Sequence, residues 1–371
     1  MPFPGVKVSV GDRNLLANVN VPDAVPVIVV IGGKSGEYRL YSPKDFPNGG
    51  KEAGRGAVEE FYSEVGGSAS LLYVEYAGSV TNAVREVCNN HPEVNLLAVV
   101  DDASAQTYDN GGALCDNVAG YVSQLYPILS SNQAMGRPVR VLLGGYLDGS
   151  KVDGGVINYD AKGAGNGYVA IVLGSSRESG VPAVGVALGR ATKVAAHVKL
   201  GDGTLGALSM REVYYGDAEH PYDKVGDYIK EAWHDKGFLT FMRRQGLEGY
   251  YFGVDNMCAS NDFSTLVHGR VIDKAQRIAI AAYMPYVETP MQVADDGTID
   301  VADAESMANI IESQLRARMG DQVSNVKVVV PVEQDLINTK TLRVQVSVLP
   351  LGYNTWIAVE LNLTSQLTNK E

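Results

Sequence analysis

Apolar and polar residues alternate along the last part of the chain. In Thr341–Pro350 the apolar side chains fall on one face and the polar ones on the other, and after a turn-like segment at 352–354 the alternation resumes over 356–363. A period of two residues is typical of half-buried β-strands. The pattern therefore predicts two strands near the carboxyl end. The apolar residues of the second one are Trp356, Ile357, Val359, Leu361 and Leu363.

The first residues show the same period, with Val6, Val8 and Val10 separated by polar or small residues. Chain ends usually fray unless a partner holds them. Strand patterns at both ends therefore predict two extended arms, residues 1–20 and 354–371, that pair with other subunits. The alternative is that both strands close onto the chain's own sheet.

Between residues 21 and 236, apolar runs typical of buried strands alternate with segments of helical spacing. Ser79 is the expected N-cap of one helix, and a polar loop is expected over 34–56. This alternation predicts a parallel or mixed α/β sheet. The predicted strands are Val27–Ile31, Ser70–Tyr76, Val94–Val100, Val139–Leu143 and Tyr168–Leu173. The predicted helices cover 58–65, 80–87, 114–125, 184–198 and 225–233.

A second α/β region is expected over residues 237–353. It has predicted strands at 238–242, 250–253, 326–332 and 341–350. Two long helices lie between them. The fold class is thus α/β, with two α/β domains of mixed sheets, 21–236 and 237–353, flanked by the two arms. The apolar stripes of the helices are Ile272, Ala275, Ala279, Ala282 and Tyr286 on the first, and Met307, Ile311, Leu315 and Met319 on the second.

The composition is that of a soluble globular protein with a real core, at 45% hydrophobic and 20% charged residues in 371. The net charge of −12 and the absence of a basic cluster disfavour a nucleic-acid surface. No apolar run approaches the roughly 20 residues of a membrane helix. The start of the chain lacks a signal-peptide pattern, and three widely spaced cysteines favour a reducing cytoplasm.

Two motifs raise the possibility of an enzyme. Gly33 lies in a Gly-Gly-Lys-Ser sequence after a strand, but Ile28 occupies the position where a phosphate loop needs glycine. Asp101 and Asp102 end a predicted parallel strand, where α/β enzymes often place their chemistry. An aspartate pair there more often serves the loop and the helix cap. The alternative function is therefore a cytoplasmic α/β enzyme with a ligand site near Gly33 and Asp101-Asp102.

The histidines and cysteines show no metal-ligand spacing, so no metal, cofactor or catalytic group is expected. The histidines are His91, His197, His220, His234 and His268.

Several short segments, in this order, resemble the N-terminal stretch of contractile tail sheath proteins. They are Val27–Gly36, Tyr41–Phe46, Ala57–Phe61, Gly66-Gly67 and Leu71–Tyr76.

Further along, Val181–Gly185 with Gly189-Arg190 looks like the middle of short sheath-like proteins. The segments 249–255 and 268–275 are similar to the start of the family's C-terminal domain. One departure is Phe252–Asn256, where the family has an aromatic-Gly-Ala-Arg-Thr segment. Any arginine-dependent contact at that place is therefore not expected.

The resemblance implies a structural protein without enzymatic activity or cofactor. Sheath subunits stack as sixfold rings into a helical polymer around a tail tube, and terminal arms add strands to the sheets of neighbours. Contraction drives the tube through a target envelope. The implied partners are further copies of the chain, the tail tube protein, and baseplate and tail terminator proteins. The implied location is the cytoplasm during assembly, and then a virion tail or injection particle.

The resemblance also implies a radial arrangement, with the 237–353 domain against the tube and the 21–236 domain outside. The helix over 303–319 is the candidate tube contact, because its apolar stripe should face its own core. The alternative is that the two arginines only complement the helix dipole. The candidate contact residues are Asn309, Glu312, Arg316 and Arg318.

Overall fold

The computed structural model of the protein describes residues 21–67, 69–102, 106–294, 298–355 and 357–358. Most of the two predicted arms therefore lies outside the described residues. Of the predicted arm-strand residues, Ile357 is described, and its side chain is 79% exposed. Those outside are Val6, Val8, Val10, Trp356, Val359, Leu361 and Leu363.

The first part of the chain forms a six-stranded mixed sheet in the order β2-β3-β1-β4-β5-β6. All its strands are parallel except β2, which pairs antiparallel with β3 at the edge. The central strands are apolar throughout because both faces of the sheet are covered. The strands are β1 (Pro26–Ile31), β2 (Gly36–Leu40), β3 (Leu71–Tyr76), β4 (Leu96–Asp101), β5 (Arg140–Gly145) and β6 (Val169–Leu173).

Helices cover this sheet, and four of them, α2, α3, α5 and α6, begin within three residues of the predicted positions. The Ser79 hydroxyl accepts a hydrogen bond from the Asn82 amide at 3.3 Å, which confirms the predicted N-cap of α2. Helix α3 continues past the predicted end and contains Pro127, while α5 is shorter than predicted. The helices of this part are α1 (Glu52–Val65), α2 (Val80–Asn90), α3 (Asn117–Ala134), α4 (Gly149–Val152), α5 (Val184–Lys193) and α6 (Asp227–Asp235).

The polar loop predicted over 34–56 is wrong, because this segment contains β2 and the start of α1. Strand β2 is an exposed edge strand in which only Leu40 is buried, so it lacks the apolar pattern of a strand. Helix α1 begins at Glu52, before the first predicted apolar residue. Its buried positions there are Gly54 and Gly56, which a hydrophobic pattern does not reveal.

Helices α1 and α5 pack at unusually short range. A side chain at Gly185 of α5 would overlap the Ala57 carbonyl of α1, and a Cβ at Gly189 would lie 2.8 Å from the Phe61 carbonyl oxygen. The lack of a Cβ at both positions lets the two backbones approach each other. The buried ion pair between Arg190 and Glu64, 2.6 Å long, fixes the same contact at its far end.

Residues 238–266 pack with this first core. Strands β7 (Phe241–Met242) and β8 (Tyr251–Phe252) pair antiparallel and have two residues each. Both are shorter than the strands predicted at 238–242 and 250–253. Leu239 forms a parallel bridge with Val172 of β6, so this segment extends the edge of the main sheet. The side chains of this segment that are buried in the first core are Phe238, Leu239, Phe241, Tyr250 and Phe252.

The last part of the chain forms a separate core of two long helices and one hairpin. Its elements are α7 (Leu266–Tyr283), α8 (Val301–Met319), β9 (Val323–Val329), the short α9 (Leu336–Thr339) and β10 (Gln345–Pro350). The predicted stripe on α8 is confirmed for Ile311, Leu315 and Met319, which are fully buried. The buried residues of this second core are Val267, Val271, Ala275, Ile278, Ile311, Leu315, Met319, Val323, Val326 and Val328.

Some predicted details of this second part are wrong. Ile272 is only half-buried, and Tyr286 lies in a 3₁₀ turn after the end of α7. Strand β9 starts and ends three residues before the predicted 326–332 strand. Strand β10 begins at Gln345, and the preceding apolar residues pack against a small third cluster.

The first core extends to Leu266 and the second begins at Val267. The packing therefore changes in the first turn of α7, well after the boundary predicted between residues 236 and 237. The predicted domain limits and their radial positions remain predictions.

Candidate assembly surfaces

The sheet of β9 and β10 is the candidate acceptor for strands of other subunits. It has two antiparallel strands, with Gln345 opposite Val329 and Val348 opposite Val326. One face packs on α7 and α8, while Val329, Val346 and Leu349 are 40, 37 and 59% exposed. Two-stranded sheets are only marginally stable alone, and open edges are templates for further strands. Within the described parts of the chain, no third strand pairs with this hairpin.

The candidate tube-contact residues on α8 fall into two groups. Asn309 is exposed and Arg318 is half-buried. Arg316 and Glu312 instead form an ion pair 2.8 Å long with each other. Arg316 Nη2 also donates to the Val326 carbonyl at 2.9 Å, so this pair connects α8 to β9.

The hydrogen bond from Arg316 lowers the pKa of Glu312 below its usual value, so the carboxylate stays ionised near neutral pH. The pair therefore already has a structural role within the subunit, which is to connect α8 to β9. Sequence reasoning missed this role because it depends on how β9 lies against α8. All four residues remain predicted tube contacts.

A polar flank of α7 forms the contact between the first domain and the second core. The Arg140 guanidinium on β5 binds the Asp273 carboxylate through two hydrogen bonds of 2.6 Å each, and both side chains are almost fully buried. Arg140 Nη1 also donates to the Gly167 carbonyl at 2.6 Å. The ring of Tyr168 lies 5.0 Å from the guanidinium carbon. This arrangement is a bidentate, charge-assisted contact.

Two further cations of the same flank reach the first domain. Arg277 donates to the carbonyls of Val94 and Pro138 at 2.8 and 2.9 Å, and Lys274 pairs with Asp23 at 2.9 Å. Sequence reasoning missed this flank because polar residues on one side of a helix are usually solvated. The only sequence signal is their spacing at positions 270, 273, 274 and 277.

The candidate enzyme site consists of carboxylates that already have partners. Asp101 is buried and accepts a hydrogen bond of 2.5 Å from the Tyr121 hydroxyl. Asp102 pairs with Lys51 at 3.1 Å. A side chain at Gly33 would overlap the carboxylate of Glu75, so Gly33 allows close packing there.

Glu75 accepts hydrogen bonds from the Lys51 amide at 2.7 Å and from the Tyr73 hydroxyl at 2.6 Å. Glu75 therefore stabilises the start of α1. The cavity beside Ser35 and Glu75 holds about 40 Å³, whereas ligand pockets usually hold about 300–1,000 Å³. Gly33 thus allows close packing, and the two aspartates bind the side chains of Tyr121 and Lys51.

Two searches of the described residues bear on other functions. Across the ranges given above, no three His, Cys, Asp or Glu side chains come close enough to hold a metal ion. In the same ranges no helix combines the length and apolar character that crossing a membrane requires.

Comparison with known proteins gives one family match, to the domain described as DUF2586, C-terminal domain, over residues 262–368. The match begins just before α7 and so covers the second core. No curated protein matches the sequence significantly.

Solved structures match nearly the whole chain. The contracted helical sheath of the anti-feeding prophage has a TM-score of 0.64 at 16% identity, covering 99% of this chain and 100% of its own. The contracted PVC sheath complex of an extracellular contractile injection system has a TM-score of 0.65 at 12% identity, covering 99 and 98%. The sheath tail protein of Desulfitobacterium hafniense has a TM-score of 0.51 at 12% identity, covering 94 and 100%. The chain has the fold of contractile sheath subunits.

Proposed function

We propose that this protein is the structural subunit of a contractile sheath, which polymerises helically around a tail tube and contracts to drive the tube through a target envelope. The observation that carries this proposal is the full-length likeness to two sheath structures, since nearly all of both chains is covered in each. Its location would be a tail or injection particle, assembled in the cytoplasm.

The open β9–β10 sheet supports linkage through strand addition. Arms 1–20 and 354–371 of neighbouring subunits would extend this sheet. Each added backbone hydrogen bond contributes a net ~1 kcal/mol, and alternating side chains give register. The partners would be further copies in sixfold rings, the tube protein, and baseplate and terminator proteins. The enzyme alternative has less support, because Asp101 and Asp102 have structural partners in the described part of the chain.

Negative-stain electron microscopy of the purified full-length protein tests the proposal. We expect hollow cylinders formed by the protein alone or after addition of its tube protein. A protein that stays monomeric under both conditions would contradict the sheath proposal. A turnover that disappears in Asp101→Ala would favour the enzyme alternative.

Reversing the charge of Arg318 tests the tube contact without breaking the Arg316–Glu312 pair. We expect Arg318→Glu to weaken co-assembly with the tube, because it reverses the charge of a predicted contact. The effect should shrink at high salt, since surface ion pairs contribute only about 0–1 kcal/mol each and are screened. Sheath-only cylinders should be unaffected. The matched control is Arg85→Glu on α2, an exposed position of the predicted outer domain. Equal co-assembly of both variants across a salt series would rule out this contact.

A further inference from the structure

The segment 194–199, directly after α5, contacts the two points at which the terminal arms join the described fold. On the amino-terminal side, the Asp23 carboxylate accepts a hydrogen bond of 2.9 Å from the Ala196 amide. On the carboxyl-terminal side, the Tyr353 hydroxyl donates to the His197 carbonyl at 2.6 Å. The two contacts thus fall on neighbouring residues of one segment.

The amino-terminal contact is reinforced from two directions. The same Asp23 oxygen pairs with Lys274 of α7. The Asn95 side chain accepts a hydrogen bond of 2.7 Å from the Val25 amide, which fixes the chain where it enters β1. Val21 packs against the second core. The chain is therefore held on both sides of Asp23.

The carboxyl-terminal contact centres on the Tyr353 ring. The Lys199 ammonium lies 4.7 Å from the ring centroid, and the His268 ring lies 6.3 Å away. Burial, together with the nearby Asp255, raises the pKa of Tyr353 to about 12. The hydroxyl therefore keeps its proton and donates to His197 at neutral pH.

Arg270 joins the segment to α7. Its Nη2 donates to the carbonyls of Ala191 and Val194 at 2.9 and 3.1 Å, and the side chain is only 4% exposed. Burial lowers the pKa of Arg270 to about 10, so the guanidinium is still charged at neutral pH. The segment is thus fixed to the helix that carries the domain contact.

We propose that the segment 194–199 is a common anchor for both arms, which passes load from one arm to the other. This inference rests on the proposed sheath function. Ala196 and His197 are joined by one peptide unit, with about 3.8 Å between their Cα atoms. A pull on the carboxyl-terminal arm reaches Asp23 through Tyr353 and this short stretch of backbone.

The substitution Tyr353→Phe tests the anchor, because it removes the hydroxyl and keeps the ring. The matched control is Tyr283→Phe, since the Tyr283 hydroxyl also donates to a backbone carbonyl, that of Met307 at 3.0 Å, but within the second core. Cylinders of each full-length variant are diluted into moderate urea, and their loss is followed by light scattering and electron microscopy.

We expect Tyr353→Phe cylinders to dissociate at least about fivefold faster than wild type, the factor that one lost hydrogen bond per link gives. Tyr283→Phe cylinders should behave as wild type, although both variants should unfold as monomers at the same urea concentration. Equal dissociation of the two variants would overturn the anchor. If the wild type forms no cylinders, the sheath proposal fails. If the wild type forms cylinders and the two variants dissociate equally, only the anchor fails.

Asp23→Ala provides an independent variant on the amino-terminal side. If both contacts lie on one load path, the effect of the double variant on the dissociation rate should be smaller than the product of the single effects. Independent, multiplicative effects would contradict a common anchor.

Discussion

Removal of residues 356–371 is expected to abolish cylinders while leaving a folded, soluble monomer. The described residues of both hydrophobic cores all precede residue 356, so the truncated chain keeps their buried apolar surface. The lost segment carries the alternating pattern, and no other strand pairs with the β9–β10 hairpin in the described chain. Circular dichroism should show an unchanged thermal transition, and electron microscopy should show no polymer.

A matched pair of substitutions separates the strand pattern from chain length. Leu361→Lys places a charge on the apolar face of the predicted arm strand, whereas Asn362→Lys places it on the polar face. Only Leu361→Lys should impair polymerisation, because a strand added to a sheet buries one face. Normal cylinders from the truncated protein would show that this arm does not link the subunits. Equal effects of Leu361→Lys and Asn362→Lys would show the same.

Breaking the Arg140–Asp273 pair should cause a large loss of stability. Arg140→Ala leaves the Asp273 carboxylate buried without its partner, and such a loss costs about 3–5 kcal/mol. Domains are stable by only about 5–15 kcal/mol, so the variant should unfold at much lower urea. Equilibrium denaturation followed by tryptophan fluorescence measures the change.

Arg39→Ala is the control, because Arg39 and Glu93 form an exposed pair 3.8 Å long. Such pairs contribute about 0–1 kcal/mol. The double variant Arg140→Met with Asp273→Leu should recover much of the loss, because no unpaired charge remains. A loss in Arg140→Ala no larger than in Arg39→Ala would show that the pair does not stabilise the domain contact.

The main sheet could be predicted from sequence because its parallel strands are buried on both faces. Val27–Ile31 and Leu96–Val100 are continuous apolar runs, and such runs rarely have another explanation in a soluble protein. Strand β2 could not be predicted, since an exposed edge strand carries no apolar pattern. The start of α1 was missed because close packing required glycines there, and glycine usually indicates a loop.

The candidate surfaces were only partly predictable for a different reason. The pattern of β10 is local and visible in the sequence. The pairing of Arg316 with Glu312 is also local, at a spacing of four residues, but its contact with Val326 depends on tertiary packing. The polar flank of α7 looks solvated in sequence because Asp273 and its partner Arg140 are 133 residues apart.

The buried contact along α7 limits how the two cores can move relative to each other. Relative motion between the two cores would have to break the bidentate Arg140–Asp273 pair and the Arg277 bonds to the Val94 and Pro138 carbonyls at once. The described part of the chain then moves as one body. In a helical assembly of such bodies, any change of rise and twist is a change in subunit placement alone. The flexibility of the assembly would then lie in the terminal arms that connect its subunits.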